Sequence, residues 1–254
     1  MEINVLGCSG GVGSGLRTTA LLIDDDILID AGSGVGELTL AQMSRIKHIF
    51  LTHSHLDHIC CIPLLLDSIF DTIEEPIQLH ASRQTLNALQ KHIFNHVIWP
   101  DFTSLPTQHS PVLSFHTMEA GEQLQLGERT INMIEVNHTV PAVAYHIESQ
   151  GKAFAFSGDT TTNNTLWKTL NALPSLDVLF VEAAFPDEEL ELSIKAKHYC
   201  PALLGEDLKK LEHRPEIYIS HNKPGTERLI FEQCVDAIKD RNVHRLVGGS
   251  SFNL

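Results

Sequence analysis

Residues 51–61 read LTHSHLDHICC, which places His53, His55, Asp57 and His58 within six positions, directly after the strand-like run HIFL. Neutral imidazole and carboxylate are the donors that zinc, manganese and iron accept, and a sharp loop lets neighbouring residues face two adjacent ions. A chain with 15 histidines brings pairs together by chance. Three histidines and an aspartate spaced HxHxDH at a strand end point to a metal site instead. Two ions need more donors than these four, so further His or Asp should stand at other strand ends. His138 in VNHTVPAVAY, Asp159 in FSGDT and His221 in YISHNKPG meet that requirement. The two oxygens of Asp159 can each bind one ion, so it is the expected bridge.

Short β-rich runs come first along the chain: INVL (3–6), TALLID (19–24), DILIDAG (26–32) and HIFLTH (48–53). TINMIEV, AVAYHIES, KAFAFSG, DVLFVEAA and EIYISH read as later strands, while 82–98, 188–198, 201–212 and 225–240 carry helix-type apolar spacing. The mixture predicts an α/β domain over 1–254 with two packed sheets flanked by helices. LPTQHSP (105–111) reads as a loop. The polar clusters follow IKHIFL, KAFAF and PEIYI, so they should emerge together on one sheet rim.

With 18 Lys and Arg against 32 Asp and Glu, the formal charge is 18 − 32 = −14, which opposes a groove that must neutralise many phosphates. A small anion held by a local cation fits better. Five cysteines without a CxxC make neither a disulfide framework nor a zinc knuckle, and no apolar run approaches about 18 residues. With no secretory signal at MEINVLGCSGG, a cytoplasmic protein without membrane contact is expected. GCSGG (7–11) matches GxSxG but follows the first strand, so it reads as a turn. GSGVGE (32–37) satisfies neither nucleotide-loop motif. Cys60 and Cys61 are expected to be packing residues in an apolar helix.

Taken in order, HxHxDH, His138, Asp159 and His221 resemble the motifs of the metallo-β-lactamase superfamily over nearly the whole chain. That resemblance implies a four-layer αβ/βα sandwich with the site on one rim. It also implies one ion held by His53, His55 and His138, a second by Asp57, His58 and His221, and Asp159 shared between them. Within the superfamily, HSHLDH, IWPDF (98–102), NHTVPAVAYHI, SGDTTTN, VEAAFPDEE with KHYCPALL, and above all SHNKPG are similar to the class II cyclic-nucleotide phosphodiesterases. The implied substrate is a small 3′,5′-cyclic nucleotide, cyclic AMP favoured, hydrolysed to the 5′-nucleotide. The tRNA 3′-processing endonuclease branch shares Glu182 and His198, but its basic tRNA-gripping arm has no counterpart here. A metal-binding regulatory protein without catalysis is the alternative of another class, and the complete ligand set argues against it.

Two divalent ions about 3.5–4 Å apart, zinc first and manganese or iron after it, would suit in-line displacement at a phosphodiester. The departing ribose O3′ is strongly basic and needs a proton, for which His198, held charged by Glu182, is the candidate general acid. Asp57 is expected to orient or deprotonate the attacking water. Trp99 and Phe102 either stack on a purine or close the helix ending there, and Lys223 either meets the phosphate or lies on the surface. A homodimer remains open.

Overall fold

The computed structural model describes residues 1–254. The first half runs β1 (Glu2–Gly7), β2 (Ala20–Ile23), β3 (Ile27–Ile29), α1 (Leu40–Met43), β4 (His48–Phe50), α2 (Leu56–Ile59), α3 (Ile62–Ser68), β5 (Ile77–Ala81), α4 (Arg83–His92), a small arm of β6 (Pro106–Thr107) and β7 (Ser110–Pro111), and β8 (Leu113–Thr117). The second runs β9 (Gln123–Leu126), β10 (Arg129–Val136), β11 (Ala142–Ser149), β12 (Lys152–Phe156), α5 (Thr165–Ala172), β13 (Val178–Glu182), α6 (Leu190–Ala196), α7 (Pro201–Leu208), β14 (Glu216–Ser220), α8 (Glu227–Ala237), β15 (Val243–Arg245) and β16 (Ser251–Asn253).

One sheet has the order β16-β1-β2-β3-β4-β5-β8 and the other β15-β14-β13-β12-β11-β10-β9. The chain's last strand crosses back to pair with its first, Glu2 opposite Asn253. Strands β3, β4, β5 and β8 run parallel, as do β12 to β15. Parallel strands covered on both faces read as continuous apolar runs, and VLFVE of β13 is buried at every position.

Alternate side chains then sort into layers. Phe154 and Phe180 point between the sheets, where they meet Ile3, Val5, Phe50 and Tyr145. Their neighbours Ala155, Leu179 and Val181 face outward under Leu166, Trp167, Leu204 and Ile230 of α5, α7 and α8. On the opposite side Ile49, Leu51 and Leu79 lie beneath Leu65 and Leu66 of α3 and Leu86 and Leu89 of α4. Helices, sheet, sheet, helices: the four-layer αβ/βα architecture is the one expected.

Several local expectations need correction. The helix expected over 82–98 stops at His92, because the Asn95 side chain accepts from the Val97 and Ile98 N–H groups and His96 takes φ 62°. The segment IWPDF is therefore loop. Cys60 and Cys61 stand at the break between α2 and α3, partly buried, with Pro63 in the first turn of the second helix. Residues 105–111 hold the β6–β7 arm. Strands β5 and β8 and helix α5 were not anticipated; IQLHA and LSFHT interleave polar residues with apolar ones.

Candidate metal centre

The C-terminal ends of β4, β10, β12, β13 and β14 share one rim. β4 delivers the His53–His58 loop; His138 lies just past β10, Asp159 just past β12, and His221 follows β14 directly. Two donor groups result, His53, His55, His138 and Asp159, and Asp57, His58, Asp159 and His221, each with its ligand atoms within 4.8 Å of one another. Asp159 belongs to both. Its Oδ2 stands 3.7 Å from His53 Nε2 and 3.3 Å from His58 Nε2, and its Oδ1 3.2 Å from His221 Nδ1. His55 Nδ1 and His138 Nε2 approach to 3.1 Å, and Asp57 Oδ2 lies 3.8 Å from His58 Nε2.

Hydrogen bonds behind these rings decide which nitrogen faces inward. Asp30, fully buried at the end of β3, accepts from the Thr52 N–H and hydroxyl at 2.8 Å each and from His58 Nδ1 at 2.7 Å. With its proton given to Asp30, the Thr52 hydroxyl is left to accept from His53 Nδ1 at 3.0 Å. Both rings are thereby fixed with Nε2 toward the centre, the arrangement metal-binding histidines require. His138 Nδ1 donates to the Lys197 carbonyl at 2.9 Å, while Lys197 Nζ donates back to the His138 carbonyl at 3.0 Å. Lys197 ends α6 in the left-handed region, φ 54°, which turns the chain toward the rim. His221 is left-handed too, φ 58°, and its N–H donates to the Cys8 carbonyl. Gly10 abuts it so closely that a Cβ there would lie 2.3 Å from the His221 carbonyl oxygen. The GCSGG turn thus backs the last histidine.

Neutral His53, His138 and His221 beside a charged Asp159 suit a cation, and His58, held charged by its carboxylates, must give up its Nε2 proton to an incoming ion. Burial holds the His53 and His221 imidazoles well below their ordinary value, and takes His138 down to about 4. Burial opposes ionisation of Asp159 and of His58, but the surrounding histidines keep the Asp159 carboxylate charged, and Asp159 with Asp30 pushes His58 well up. Within the protein, His53 Nε2, His58 Nε2, Asp159 Oδ1 and both ring nitrogens of His221 are buried without a hydrogen-bond partner. Leaving such groups unpaired costs about 1–3 kcal/mol each. So many converging lone pairs fit divalent ions bound through nitrogen and oxygen.

His198 belongs to neither donor group yet touches both. Its ring stacks on His221 at 5.3 Å between centroids and meets His138 edge-on at 4.9 Å. Nδ1 donates to Glu182 Oε1 at 2.7 Å. Glu182, wholly buried, is itself fixed by the Thr160 N–H at 2.8 Å and the Tyr199 N–H at 3.3 Å. Burial works against a charged His198, but Glu182 outweighs it and raises the imidazole's pKa. Lys223 lies at the same rim: Nζ donates to the Gly10 carbonyl at 2.8 Å and stands 5.9 Å over the Phe185 ring, which packs against His198.

Of the two aromatic positions read as either stacking on a purine or closing a helix, and counted as candidates for substrate contact, Phe102 is a core residue, 3% exposed and packed on Phe70 and Phe94. That expectation is corrected: no face of its ring is free for a base. Trp99 is half-buried against the same core, its backbone tied to Ile93 and His96. Asp30, Thr52 and Lys197 were missed. Asp30, an acid directly after the apolar run Ile27–Ile29, was the one available signal.

A family model described as Beta-lactamase superfamily domain matches residues 25–248. The chain belongs to that superfamily, with the metallo-β-lactamase fold, and it is a hydrolase of that class. A probable 3′,5′-cyclic-nucleotide phosphodiesterase of Yersinia pestis is 26% identical to it, over 94% of this chain and 81% of its own length. A ribonuclease BN of Cronobacter sakazakii is 29% identical over 60% of this chain and 51% of its own. Among solved structures, unliganded yeast PDE1 superposes with a TM-score of 0.83 over 100% of this chain and 99% of that one, at 17% identity. No helix is long and apolar enough to cross a membrane.

Proposed function

We propose that the protein is a binuclear phosphodiesterase that hydrolyses 3′,5′-cyclic nucleotides, cyclic AMP first among them, to 5′-nucleotides. The observation that carries the reading is the 2.7 Å His198–Glu182 pair set against ligands of both donor groups. His53, His55, His138 and Asp159 would hold one divalent ion and Asp57, His58, His221 and Asp159 the other, zinc being favoured by the nitrogen-rich set. Such ions supply Lewis-acid polarisation of a phosphoryl oxygen and lower the pKa of water toward neutrality.

The chain's own groups do the rest. Asp57, whose side chain is 30% exposed at the mouth of the site, orients the attacking water and accepts its proton. Charged His198 gives a proton to the departing O3′, and Glu182 keeps the imidazole aimed and charged until that moment. Lys223 places a positive charge beside the phosphate, and its bond to the Gly10 carbonyl holds it there. The similarity to the Yersinia pestis phosphodiesterase, the SHNKPG motif and the formal charge of −14 favour a small anion over RNA.

The test is metal analysis of the purified protein, combined with assays on cyclic AMP, cyclic GMP, a 2′,3′-cyclic nucleotide and precursor tRNA. Turnover of cyclic AMP that is lost on chelation and restored by zinc or manganese is expected. Efficient cleavage of precursor tRNA with no turnover of any cyclic nucleotide would reverse the assignment toward the ribonuclease relatives. Turnover indifferent to chelators would remove the metal reading altogether.

A further inference from the structure

Three more imidazoles stand together away from the rim, on the first sheet. His48 opens β4, His80 lies in β5 and His116 in the edge strand β8. Strand register sets His80 opposite Phe50 on one side and His116 on the other. His48 shares the face of Phe50, two residues away, so the three rings line one face across three parallel strands. Ring centroids are 5.3 Å apart from His48 to His80 and 5.2 Å from His80 to His116.

His48 Nδ1 lies 3.1 Å from His80 Nε2. Two imidazoles bound to one ion at about 2.0–2.1 Å, with an angle of about 90–110° between the bonds, hold their nitrogens roughly 2.9–3.4 Å apart. The molecule offers its own yardstick: His55 Nδ1 and His138 Nε2, both in one donor group of the rim, are also 3.1 Å apart. The inner ring is rigid, since His80 is 5% exposed and stacks on Phe50 at 4.5 Å and 14°. Burial takes its pKa down to about 3, leaving the ring neutral with a lone pair to give.

Access comes from the outer rings. His48 is half-buried and His116 exposed. The His116 Nε2 contact is with the Ser114 hydroxyl at 3.2 Å, an exposed bond that a ring rotation breaks at little cost. Around His48 the charges are mixed: Asp26 favours a cation, whereas Arg129 and Lys47 oppose one. Asp26 is already clamped by Arg129 and is not counted as a donor.

We propose that His48 and His80, joined by His116 once its ring turns inward, bind a divalent transition ion of the imidazole-preferring kind, copper, nickel or zinc. This third site is separate from the rim and pins edge strand β8 to β5 and β4. Binding is proton-neutral at the pair. The hydrogen now shared between His48 Nδ1 and His80 Nε2 moves to the other nitrogen of the ring that carries it, and both rings stay neutral.

The test uses the protein loaded with two zinc ions per chain, enough for the two donor groups of the rim, to which copper(II) is added. Bound copper and zinc are counted after desalting, and the copper is examined by electron paramagnetic resonance. One copper per chain with no loss of zinc, and a spectrum showing imidazole nitrogen coupling, is expected. His116→Ala, at an exposed position that folding tolerates, should weaken copper binding at least about tenfold. His48→Gln combined with His116→Ala should abolish it and leave zinc content unchanged. Absence of copper beyond that which displaces zinc, or copper binding unaltered in the double variant, would overturn the site.

Discussion

In the proposed mechanism His198 and Asp159 divide the labour at the rim, and their substitution should separate the two roles cleanly. His198→Ala should keep both ions and lower turnover of cyclic AMP by about 10²–10⁴-fold, the scale of a lost general acid. The loss should shrink on a nitrophenyl phosphodiester, whose leaving group needs little protonation. Equal losses on the two substrates would reduce His198 to a packing role. Asp159→Ala, by contrast, should reduce metal content from about two ions per chain to below about one, because both donor groups lose the same carboxylate. Two tightly held ions in that variant would refute the bridge. The histidines that converge at the rim were legible because their spacing at strand ends is improbable by chance. Asp30 and Thr52 were not, because orienting residues announce themselves only through the hydrogen bonds that folding creates. Phe102 misled for a physical reason: an aromatic in a polar-flanked segment looks alike in sequence whether its ring faces a ligand or the core.

The strands place the chemistry, and the two sheets must keep register for their rims to coincide. Arg129, at the start of β10, reaches across to the β2–β3 turn of the other sheet, meeting Asp26 Oδ2 at 2.8 Å and Asp24 Oδ2 at 3.1 Å. Hydrogen bonds from Arg129 hold the Asp26 carboxyl below the usual carboxylate range, against the opposing effect of burial. Because the folded pKa is depressed, the stabilisation is complete above the ordinary Asp value of about 4 and is lost as pH falls through the folded one. Arg129→Met should therefore cost roughly 1–2 kcal/mol at neutral pH, discounted for partial exposure. In denaturant titrations that deficit should narrow below about pH 4; a deficit independent of pH would assign the loss to packing instead. Strand positions rich in Val, Ile and Phe were readable from composition and alternation. Short, half-polar β5 and β8 were not, since parallel pairing with neighbours distant in sequence, rather than local propensity, makes them strands.

Across the whole chain, N-terminal and C-terminal halves each bring part of the centre: His53, His55, Asp57 and His58 from the first sheet, His138, Asp159 and His221 from the second. β16 crosses back to β1 and ties the two halves together. The formal charge of −14 and Lys223 at the rim suit the proposed small phosphodiester better than a polynucleotide. The most direct measurement is hydrolysis of cyclic AMP by the metal-loaded protein in ¹⁸O-labelled water, followed by phosphorus NMR and mass spectrometry of the product. Water should add to phosphorus and O3′ should leave with a proton, giving 5′-AMP with one solvent oxygen on its phosphate. Formation of 3′-AMP, label on the ribose, or no turnover of cyclic AMP at all would contradict the assignment.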